Sequence, residues 1–263
     1  LIFTNKGKVY RLKGYEIPEF SRQSKGLPIV NVLPVEKDEK ISSIIKLNVE
    51  NQEKYLILAT KQGLIKRTNL EEFENIRATG KICIKLKEND ELIGVKKTNG
   101  ESNILLASSE GRMNVFDENE IRVMGRTASG VKGINLGSAK CVSIENVNDD
   151  DNIVIVTENG YGKKTLISEY RKTKRGSKGV KALNITEKNG NIASIKKVID
   201  DSDIMIITNQ GIIIRLPLEQ VSQLGRVTQG TRLINLKSGQ KVSSVSLVQK
   251  EKESEEEIIE KNE

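Results

Sequence analysis

Short apolar runs alternate with glycine-containing turns along almost the whole chain. In one such unit the run 153–156 has the pattern of a buried strand, Asn159-Gly160 is a turn pair that tolerates positive φ, and residues 161–166 return as a second strand. Apolar residues at helical spacing are rare, so the pattern predicts an all-β protein. The strands predicted for this unit are 153–156, 161–166, 180–185 and 192–198, with a connector at 167–170. Helical turns are predicted at 70–76, 118–124 and 217–224.

The same unit recurs along the chain, as two independent series of glycines indicate. The hairpin glycines are Gly7, Gly63, Gly111, Gly160 and Gly211, and the glycines that end a basic loop are Gly26, Gly80, Gly130, Gly179 and Gly230. Both series keep a period of about fifty residues, which is typical of propeller-type arrays. We therefore predict four-stranded blades set around an axis, in one domain over 1–249. The predicted repeats are approximately 1–50, 51–99, 100–149, 150–200 and 201–249.

Composition narrows the range of functions. The chain has no histidine and no tryptophan, and aromatic residues make up 3% of it. It therefore lacks the commonest general base and the stacking platforms that hold single strands. The formal net charge is +7 although residues 250–263 are acidic, which indicates a basic body with a polyanion partner and a disordered or peripheral acidic tail. Cys83 and Cys141 lie in apolar strand patterns and are predicted to be buried, reduced thiols.

A basic loop precedes the third predicted strand of every repeat. Its arginine stands four residues before the loop glycine in four repeats and three before it in the other. Arginine can meet phosphate oxygens with a forked pair of N–H groups, lysine can meet them as a point charge, and glycine allows the backbone to approach a ligand closely. Loops of this kind at a similar radius around an axis would suit a bent DNA duplex. They would contact its phosphates along the bend and would not need to recognise its bases.

The alternative for these loops is that they are blade-connecting turns whose charge keeps the protein soluble. Repetition of the cations at equivalent positions favours binding. The predicted DNA-binding residues are Arg22, Lys25, Lys66, Arg67, Arg77, Lys81, Arg126, Lys132, Lys163, Lys164, Arg171, Lys172, Lys174, Arg175, Lys178, Lys181, Arg226 and Arg232.

Particular segments carry a resemblance that covers nearly the whole chain. They include residues 3–10 (FTNKGKVY), 14–18 (GYEIP), 29–34 (IVNVLP), 90–95 (DELIGV), 124–126 (MGR) and 159–165 (NGYGKKT). With these segments the chain resembles the C-terminal domain of the A subunit of bacterial DNA gyrase. The resemblance implies a six-bladed β-pinwheel, of which five repeats are evident here, that wraps duplex DNA around a basic rim.

Further expectations follow from the resemblance. In the holoenzyme the wrap would support ATP-dependent negative supercoiling, and the partners would be the gyrase B subunit together with the rest of the A subunit. ATP and Mg would act elsewhere in the holoenzyme, so no cofactor, metal or catalytic residue is expected in this chain. We expect a monomeric, cytoplasmic, nucleoid-associated domain without a membrane partner. The alternatives are the equivalent domain of topoisomerase IV and, in another class, a propeller that serves as a protein-interaction scaffold.

The gyrase family's diagnostic heptapeptide, Gln-Arg/Lys-Arg-Gly-Gly-Arg/Lys-Gly, is missing as a complete copy. It normally lies in the family's first blade, whereas residues 1–9 resemble the first hairpin of the second blade. The chain is therefore expected to begin at the second blade, which accounts for the missing heptapeptide. Its nearest relative here is the run 173–179 (TKRGSKG), in which Thr173 replaces the glutamine and Ser177 the second glycine. The degenerate loop comprises Lys174, Arg175, Gly176, Ser177, Lys178 and Gly179.

Overall fold

Five antiparallel sheets, blades 1 to 5, follow one another along the chain in the computed structural model, which describes residues 1–21, 23–47 and 53–250. The first repeat contributes β1 (Ile2–Thr4), β2 (Lys8–Tyr10) and β3 (Ile41–Ile44), and the second β4 (Tyr55–Thr60), β5 (Leu64–Asn69), β6 (Lys81–Ile82) and β7 (Leu92–Thr98). The third contributes β8 (Asn103–Ser108), β9 (Arg112–Asp117), β10 (Val131–Lys132) and β11 (Cys141–Val147). The fourth contributes β12 (Asn152–Thr157), β13 (Tyr161–Leu166), β14 (Val180–Lys181) and β15 (Ile192–Lys197), and the fifth β16 (Ser202–Thr208), β17 (Ile213–Pro217), β18 (Thr231–Arg232) and β19 (Val242–Gln249). The prediction of an all-β, propeller-like fold is confirmed.

Each of the first four blades takes its outermost strand from the following repeat. The sheet orders are β3-β1-β2-β6, β10-β5-β4-β7, β11-β8-β9-β14 and β15-β12-β13-β18. The strand predicted over 180–185 is therefore wrong in length and in partner, because only Val180–Lys181 pairs, and it pairs with β9 of the preceding blade. Beyond it, the amides of Ala182 and Leu183 turn to the carbonyl of Gly111, which buries both side chains between blades.

The first and last repeats depart from this exchange. After the basic loop of the first repeat, the sequence predicts a strand from Ile29, but Ile29–Asn31 is a short 3-10 helix. Pro28 before it has no N–H to donate to a neighbouring strand, which disfavours pairing. Among the described residues, blade 5 has three strands in the order β17-β16-β19 and lacks an exchanged strand. Its outer strand leaves Ile213 57% exposed.

Short 3-10 turns stand just before the basic loops. The turns at Leu70–Phe73, Glu118–Glu120 and Leu218–Gln220 confirm the predicted helical turns, and another at Ile167–Glu169 lies where a connector is predicted. The first repeat has one at Gly14–Glu16. In the part of the chain that the structure describes, none of the helices has the length and apolarity of a membrane-spanning segment.

Buried side chains lie chiefly between successive blades. Phe3 of blade 1 packs with Leu56 and Phe73 of the second repeat, and the two phenylalanine rings are 6.0 Å apart. Similar clusters join blades 2 and 3, blades 3 and 4, and blades 4 and 5. Cys83 and Cys141 lie in these clusters as buried free thiols, as predicted. Because each core is shared, neighbouring blades hold each other's orientation.

The loop glycines have left-handed backbone, and those that end loops 2 to 5, but not Gly26, press against the preceding blade. At Gly179, φ is +67° and a Cβ would stand 2.2 Å from the carbonyl oxygen of Met113. At Gly130, φ is +90° and a Cβ would stand 2.6 Å from the carbonyl oxygen of Ile65. The sequence suggested that these glycines allow close approach of a ligand. The structure corrects this interpretation for Gly130 and Gly179, because what approaches them closely is β5 or β9.

Replacing Gly179 with alanine should lower the free energy of unfolding by more than the usual penalty for positive φ, which is about 1–2 kcal/mol. The added methyl group must also displace the backbone of Met113. Gly239 is a matched control, because its φ is +78° and a Cβ there meets nothing within 4 Å. Urea unfolding of G179A and G239A measures the difference, and equal losses would contradict a special constraint at Gly179.

Candidate nucleic-acid interface

The basic loops lie at the outer edges of the blades, because each runs directly into an exchanged strand. Loop 2 (77–80), loop 3 (125–130), loop 4 (174–179) and loop 5 (225–230) lead into β6, β10, β14 and β18. These are the outermost strands of blades 1 to 4. The four loops therefore occupy equivalent positions on consecutive blades, and we call them, with the strands that follow, the rim.

Successive parts of the rim are bonded to one another. The amide of Asn135, just after β10, donates to the carbonyl of Ser177 in loop 4 at 2.8 Å. The amide of Asn184, just after β14, donates in the same way to the carbonyl of Thr228 in loop 5 at 3.1 Å. Each of these loops thus rests on the segment that follows the previous loop, which makes the rim continuous from blade to blade.

The loop arginine adds a second link of this kind. In three loops its Nη1 donates to the carbonyl of the residue two positions after the previous loop's glycine. The pairs are Arg126 with Ile82 (2.8 Å), Arg175 with Lys132 (2.6 Å) and Arg226 with Lys181 (3.0 Å). All three arginines remain partly exposed. One edge of each guanidinium therefore holds the rim together while the side chain stays accessible to an anion.

Loop 4, the degenerate copy of the heptapeptide, is held in place by hydrogen bonds to the third repeat. The amide of Arg175 donates to the carboxylate of Glu120 at 3.0 Å, and its Nε donates to the Glu120 carbonyl at 3.1 Å. The amide of Gly176 donates to a carbonyl of the third repeat at 2.7 Å. Lys174 and Lys178 stay exposed on the same loop. The loop backbone is therefore hydrogen-bonded to other parts of the protein, while two of the loop's cationic side chains face solvent.

Most of the predicted DNA-binding residues that the structure describes are accessible. The exposed ones are Lys25, Arg77, Lys132, Arg171, Lys172, Lys174, Lys178, Lys181 and Arg232. The partly buried ones are Lys81, Arg126, Lys164, Arg175 and Arg226. Arg22 and the acidic residues 251–263 lie outside the described residues.

Lys66 and Lys163 are different, because both are fully buried. Nζ of Lys66 donates to the carbonyls of Cys83 (2.5 Å), Gly125 (3.4 Å) and Arg126. Burial lowers the pKa of both lysines to about 8. The prediction that they contact DNA is therefore corrected: alternation along the strand points them into the protein, where they meet the backbone of the next repeat's loop.

Arg67 is also buried and takes part in the contact between the second and third repeats. Its Nη1 lies 3.6 Å from the carboxylate of Glu118, which is 0% exposed, and donates to Oδ1 of Asn119 at 3.0 Å. Its guanidinium lies 4.8 Å from the ring centroid of Tyr55. The predicted phosphate contact is thus replaced by an internal ion pair, because Arg67 lies in the strand where these two repeats pack together.

Two cations flank Tyr161 at one end of blade 4. Nε and Nη2 of Arg232 donate to the Tyr161 hydroxyl at 3.1 and 2.9 Å, and the guanidinium stands 5.5 Å from the ring centroid. Nζ of Lys188 stands 5.6 Å from the same centroid. Arg232 is therefore oriented by the ring, and Lys188 is a nearby cation that the sequence pattern did not single out.

Sequence reasoning also missed Arg112 beside loop 4. This exposed arginine donates from Nε to the carbonyl of Lys178 (3.2 Å) and from Nη2 to that of Gly179 (3.1 Å). The signal for it was its place directly after the hairpin glycine Gly111, where the strand runs antiparallel to β14. Arg112 adds a positive charge to the part of the rim that already carries Lys178.

Comparison with known families agrees with this repeated architecture. The sequence pattern of the family described as "DNA gyrase C-terminal domain, beta-propeller" matches residues 1–48, 54–99, 102–148, 151–199 and 202–249. The chain belongs to this family. Each match to the gyrase C-terminal domain pattern contains the hairpin of one blade and the strand that pairs with the first strand of that hairpin.

Relatives extend the gyrase comparison. The DNA gyrase A subunit of Staphylococcus epidermidis is 49% identical over 255 residues, which cover 95% of this chain and 29% of the relative. Its counterpart in Staphylococcus aureus is 48% identical over 259 residues, with 97% and 29% covered. The chain thus spans less than a third of the curated relatives it matches.

Solved structures share the fold over nearly the whole chain. The C-terminal domain of DNA topoisomerase IV superposes with a TM-score of 0.84 at 28% identity, covering 94% of this chain and 78% of that one. A DNA gyrase A C-terminal domain superposes with a TM-score of 0.81 at 25% identity, covering 94% and 80%. The blade architecture described above is therefore shared with C-terminal domains of both enzymes.

Proposed function

We propose that the chain binds duplex DNA along the rim through its phosphates, without reading bases, and bends and wraps it. The observation that carries the proposal is that exposed cations recur at one equivalent position on consecutive blades. Lys132, Lys181 and Arg232 each stand two residues after a loop glycine, in the outermost strand of their blade. A duplex that contacts one of these strands can reach the next by bending along the rim.

The balance of free energies supports a wrapped path. Bending 20–30 base pairs strongly costs on the order of 1–6 kcal/mol. Phosphate contacts release condensed counterions, and a set of about six to ten such contacts dominates non-specific affinity at low salt. Exposed lysines and arginines on four consecutive loops can supply a set of this size, so the release of counterions along the bend can offset its cost.

The parent protein suggested by the curated relatives is a DNA gyrase A subunit. In that setting, this domain would present wrapped DNA to the rest of the holoenzyme, in support of ATP-dependent negative supercoiling. Its partners would be the gyrase B subunit together with the remainder of the A subunit, whereas ATP and Mg would act outside this chain. We propose a cytoplasmic, nucleoid-associated location and a monomeric domain.

Relaxation of closed circular DNA in the presence of the chain tests wrapping directly. A wrapped path should leave a shift in linking number of one sign, growing with the ratio of protein to DNA. Binding that loses affinity steeply with salt while leaving the linking number unchanged would reduce the proposal to binding without wrapping. Binding with a shallow dependence on salt would contradict a phosphate-based interface altogether.

The equivalent domain of topoisomerase IV is a second candidate, because the topoisomerase IV C-terminal domain superposes with a TM-score of 0.84. The same experiment separates the two, since weaker wrapping predicts a smaller shift in linking number for equal occupancy of the DNA. The 49% identity to a gyrase A subunit favours gyrase.

A further inference from the structure

One position in the second strand of each blade faces inward, towards the basic loop of the next repeat. It lies three residues after the hairpin glycine and is buried in all four blades that have an exchanged strand. We call it the anchor position. The anchor residues are Tyr10, Lys66, Asn114 and Lys163.

The two lysine anchors hold the backbone of the loop arginine itself. Nζ of Lys163 donates to the carbonyls of Gly225 (2.7 Å) and Arg226 (2.7 Å) and to Oγ1 of Thr228 (3.3 Å). Nζ of Lys66 makes the corresponding contacts with Gly125 and Arg126 in loop 3. A single buried ammonium group thus fixes the two peptide units around each arginine.

The asparagine anchor reaches the same place with different chemistry. Nδ2 of Asn114 donates to the carbonyl of Lys174 at 3.3 Å, and its Oδ1 accepts from the hydroxyls of Ser177 (3.2 Å) and Thr173. Of these hydroxyls, that of Thr173 stands just before loop 4 and that of Ser177 within it. Loop 4 begins Lys174-Arg175, whereas loops 3 and 5 begin Gly-Arg. Where the anchor residue changes from lysine to asparagine, the sequence of the loop that it contacts therefore changes as well.

The tyrosine anchor acts by packing. A Cβ built on Gly80, the glycine that ends loop 2, would stand 2.7 Å from the ring of Tyr10. The ring is 1% exposed and therefore forms a fixed surface under the loop. Four blades thus support the next repeat's loop from the same strand position, although the residues are a tyrosine, an asparagine and two lysines.

We propose that the anchor residue is a positioning residue for DNA binding: from inside the blade it holds the next loop, and with it the rim arginine, in the arrangement that meets a DNA backbone. The inference rests on the proposed function. Lys66 and Lys163 would therefore influence DNA affinity without touching DNA, because they act through Arg126 and Arg226. A direct lysine–phosphate contact is incompatible with their burial.

A double-mutant cycle on loop 5 tests the inference, with Lys163→Met and Arg226→Ala measured singly and together for affinity to a mixed-sequence duplex. Lys163→Met should weaken binding roughly three- to tenfold, the order of one ordered phosphate contact. In the Arg226→Ala background it should change affinity little, because the residue it positions is gone. Lys140→Met is the matched control, because it removes the same charge from an exposed position outside the basic loops and the strands that follow them.

Amide hydrogen exchange of the free protein provides a readout that does not depend on DNA. Lys163→Met should speed exchange within 225–230 while leaving the core strand β12 protected; faster exchange throughout would indicate general destabilisation and overturn the inference. If Lys163→Met fails to fold, Lys163→Gln, which keeps two N–H donors, replaces it and should retain more affinity than Lys163→Ala. Equal affinity of the glutamine and alanine variants would contradict positioning by hydrogen bonds.

The pH dependence supplies a further check. On deprotonation a lysine loses its positive charge and one of its three N–H donors. The hydrogen bonds of the lysine anchors should therefore weaken as pH rises through the pKa of about 8. The charged and titratable groups that face them are Glu169 and Arg226 at Lys163, and Cys83, Arg126 and Glu72 at Lys66. Loss of DNA affinity between pH 7 and 9 should be smaller in Lys163→Met and absent in the double Lys66→Met, Lys163→Met variant. An unchanged pH profile in that double variant would overturn the inference.

The outcomes distinguish this inference from the proposed function. If the unaltered chain fails to bind duplex DNA with steep salt dependence, the proposed function fails. If the unaltered chain binds as expected but Lys163→Met and Arg226→Ala act additively, or Lys163→Met has no more effect than Lys140→Met, the positioning role alone is wrong.

Discussion

Changing Lys132, Lys178 and Lys181 together to glutamine should weaken duplex DNA binding by about one to two orders of magnitude at low salt. All three side chains are exposed on consecutive parts of the rim, and none is buried between blades. The slope of log affinity against log salt should fall by about 0.9 for each phosphate that is no longer neutralised. The weakening should be similar for unrelated DNA sequences, because phosphates carry no base identity. Fluorescence anisotropy titrations at several salt concentrations measure both quantities.

The control for this variant removes the same charge elsewhere. Lys37, Lys54 and Lys140 are also exposed but lie outside the basic loops and the strands that follow them. Their joint change to glutamine alters the overall field of the protein and should reduce affinity much less. Equal reductions in the two triple variants would show that net charge, rather than the rim, accounts for binding.

Replacing Glu118 with alanine should lower the free energy of unfolding by about 3–5 kcal/mol, the usual cost of breaking a buried ion pair from one side. The carboxylate is fully buried and lies 3.6 Å from Nη1 of Arg67. It also accepts hydrogen bonds from the Thr98 hydroxyl and the Ser102 amide, both at 2.7 Å. The change would leave a guanidinium and two further donors without their acceptor. Chemical unfolding monitored by circular dichroism measures the loss of stability.

Two comparisons sharpen this second prediction. Glu110→Ala removes an exposed carboxylate and should change stability by less than about 0.5 kcal/mol. The paired change of Arg67 to methionine and Glu118 to leucine should recover part of the stability, because no unpaired charge remains. If Glu118→Ala destabilises the protein as little as Glu110→Ala does, Arg67 and Glu118 do not support each other.

Much of the fold could be predicted, because its signals are local. The second strand of the fourth repeat's hairpin was predicted at 161–166, and the structure has Tyr161–Leu166. A turn pair such as Asn159-Gly160 acts through the backbone of its own residues, so the neighbouring sequence suffices to recognise it. The same holds for the 3-10 turns at Glu118–Glu120 and Leu218–Gln220.

The candidate site could be predicted only in part. Lys163 and Lys164 are adjacent in sequence and equally basic, yet Lys163 is buried and Lys164 is partly exposed. Strand alternation predicts that they face opposite sides, but which side is covered depends on where the next repeat packs. Arg67 was misassigned for the same reason, since Glu118 is far away in sequence.

Period, turn chemistry and charge are properties of short segments, so the amino-acid sequence was sufficient to specify the repeat, the hairpins and the accumulation of cations before each third strand. Tertiary packing was needed to show that the third strand of a repeat completes the preceding blade, as Val180–Lys181 does on β9. It was also needed to show which cations face solvent and which support the loops from within. A two-residue strand carries too little local preference to select its partner. The partner is set instead by burial of Ala182 and Leu183 between blades, which the chain achieves only when both repeats are folded.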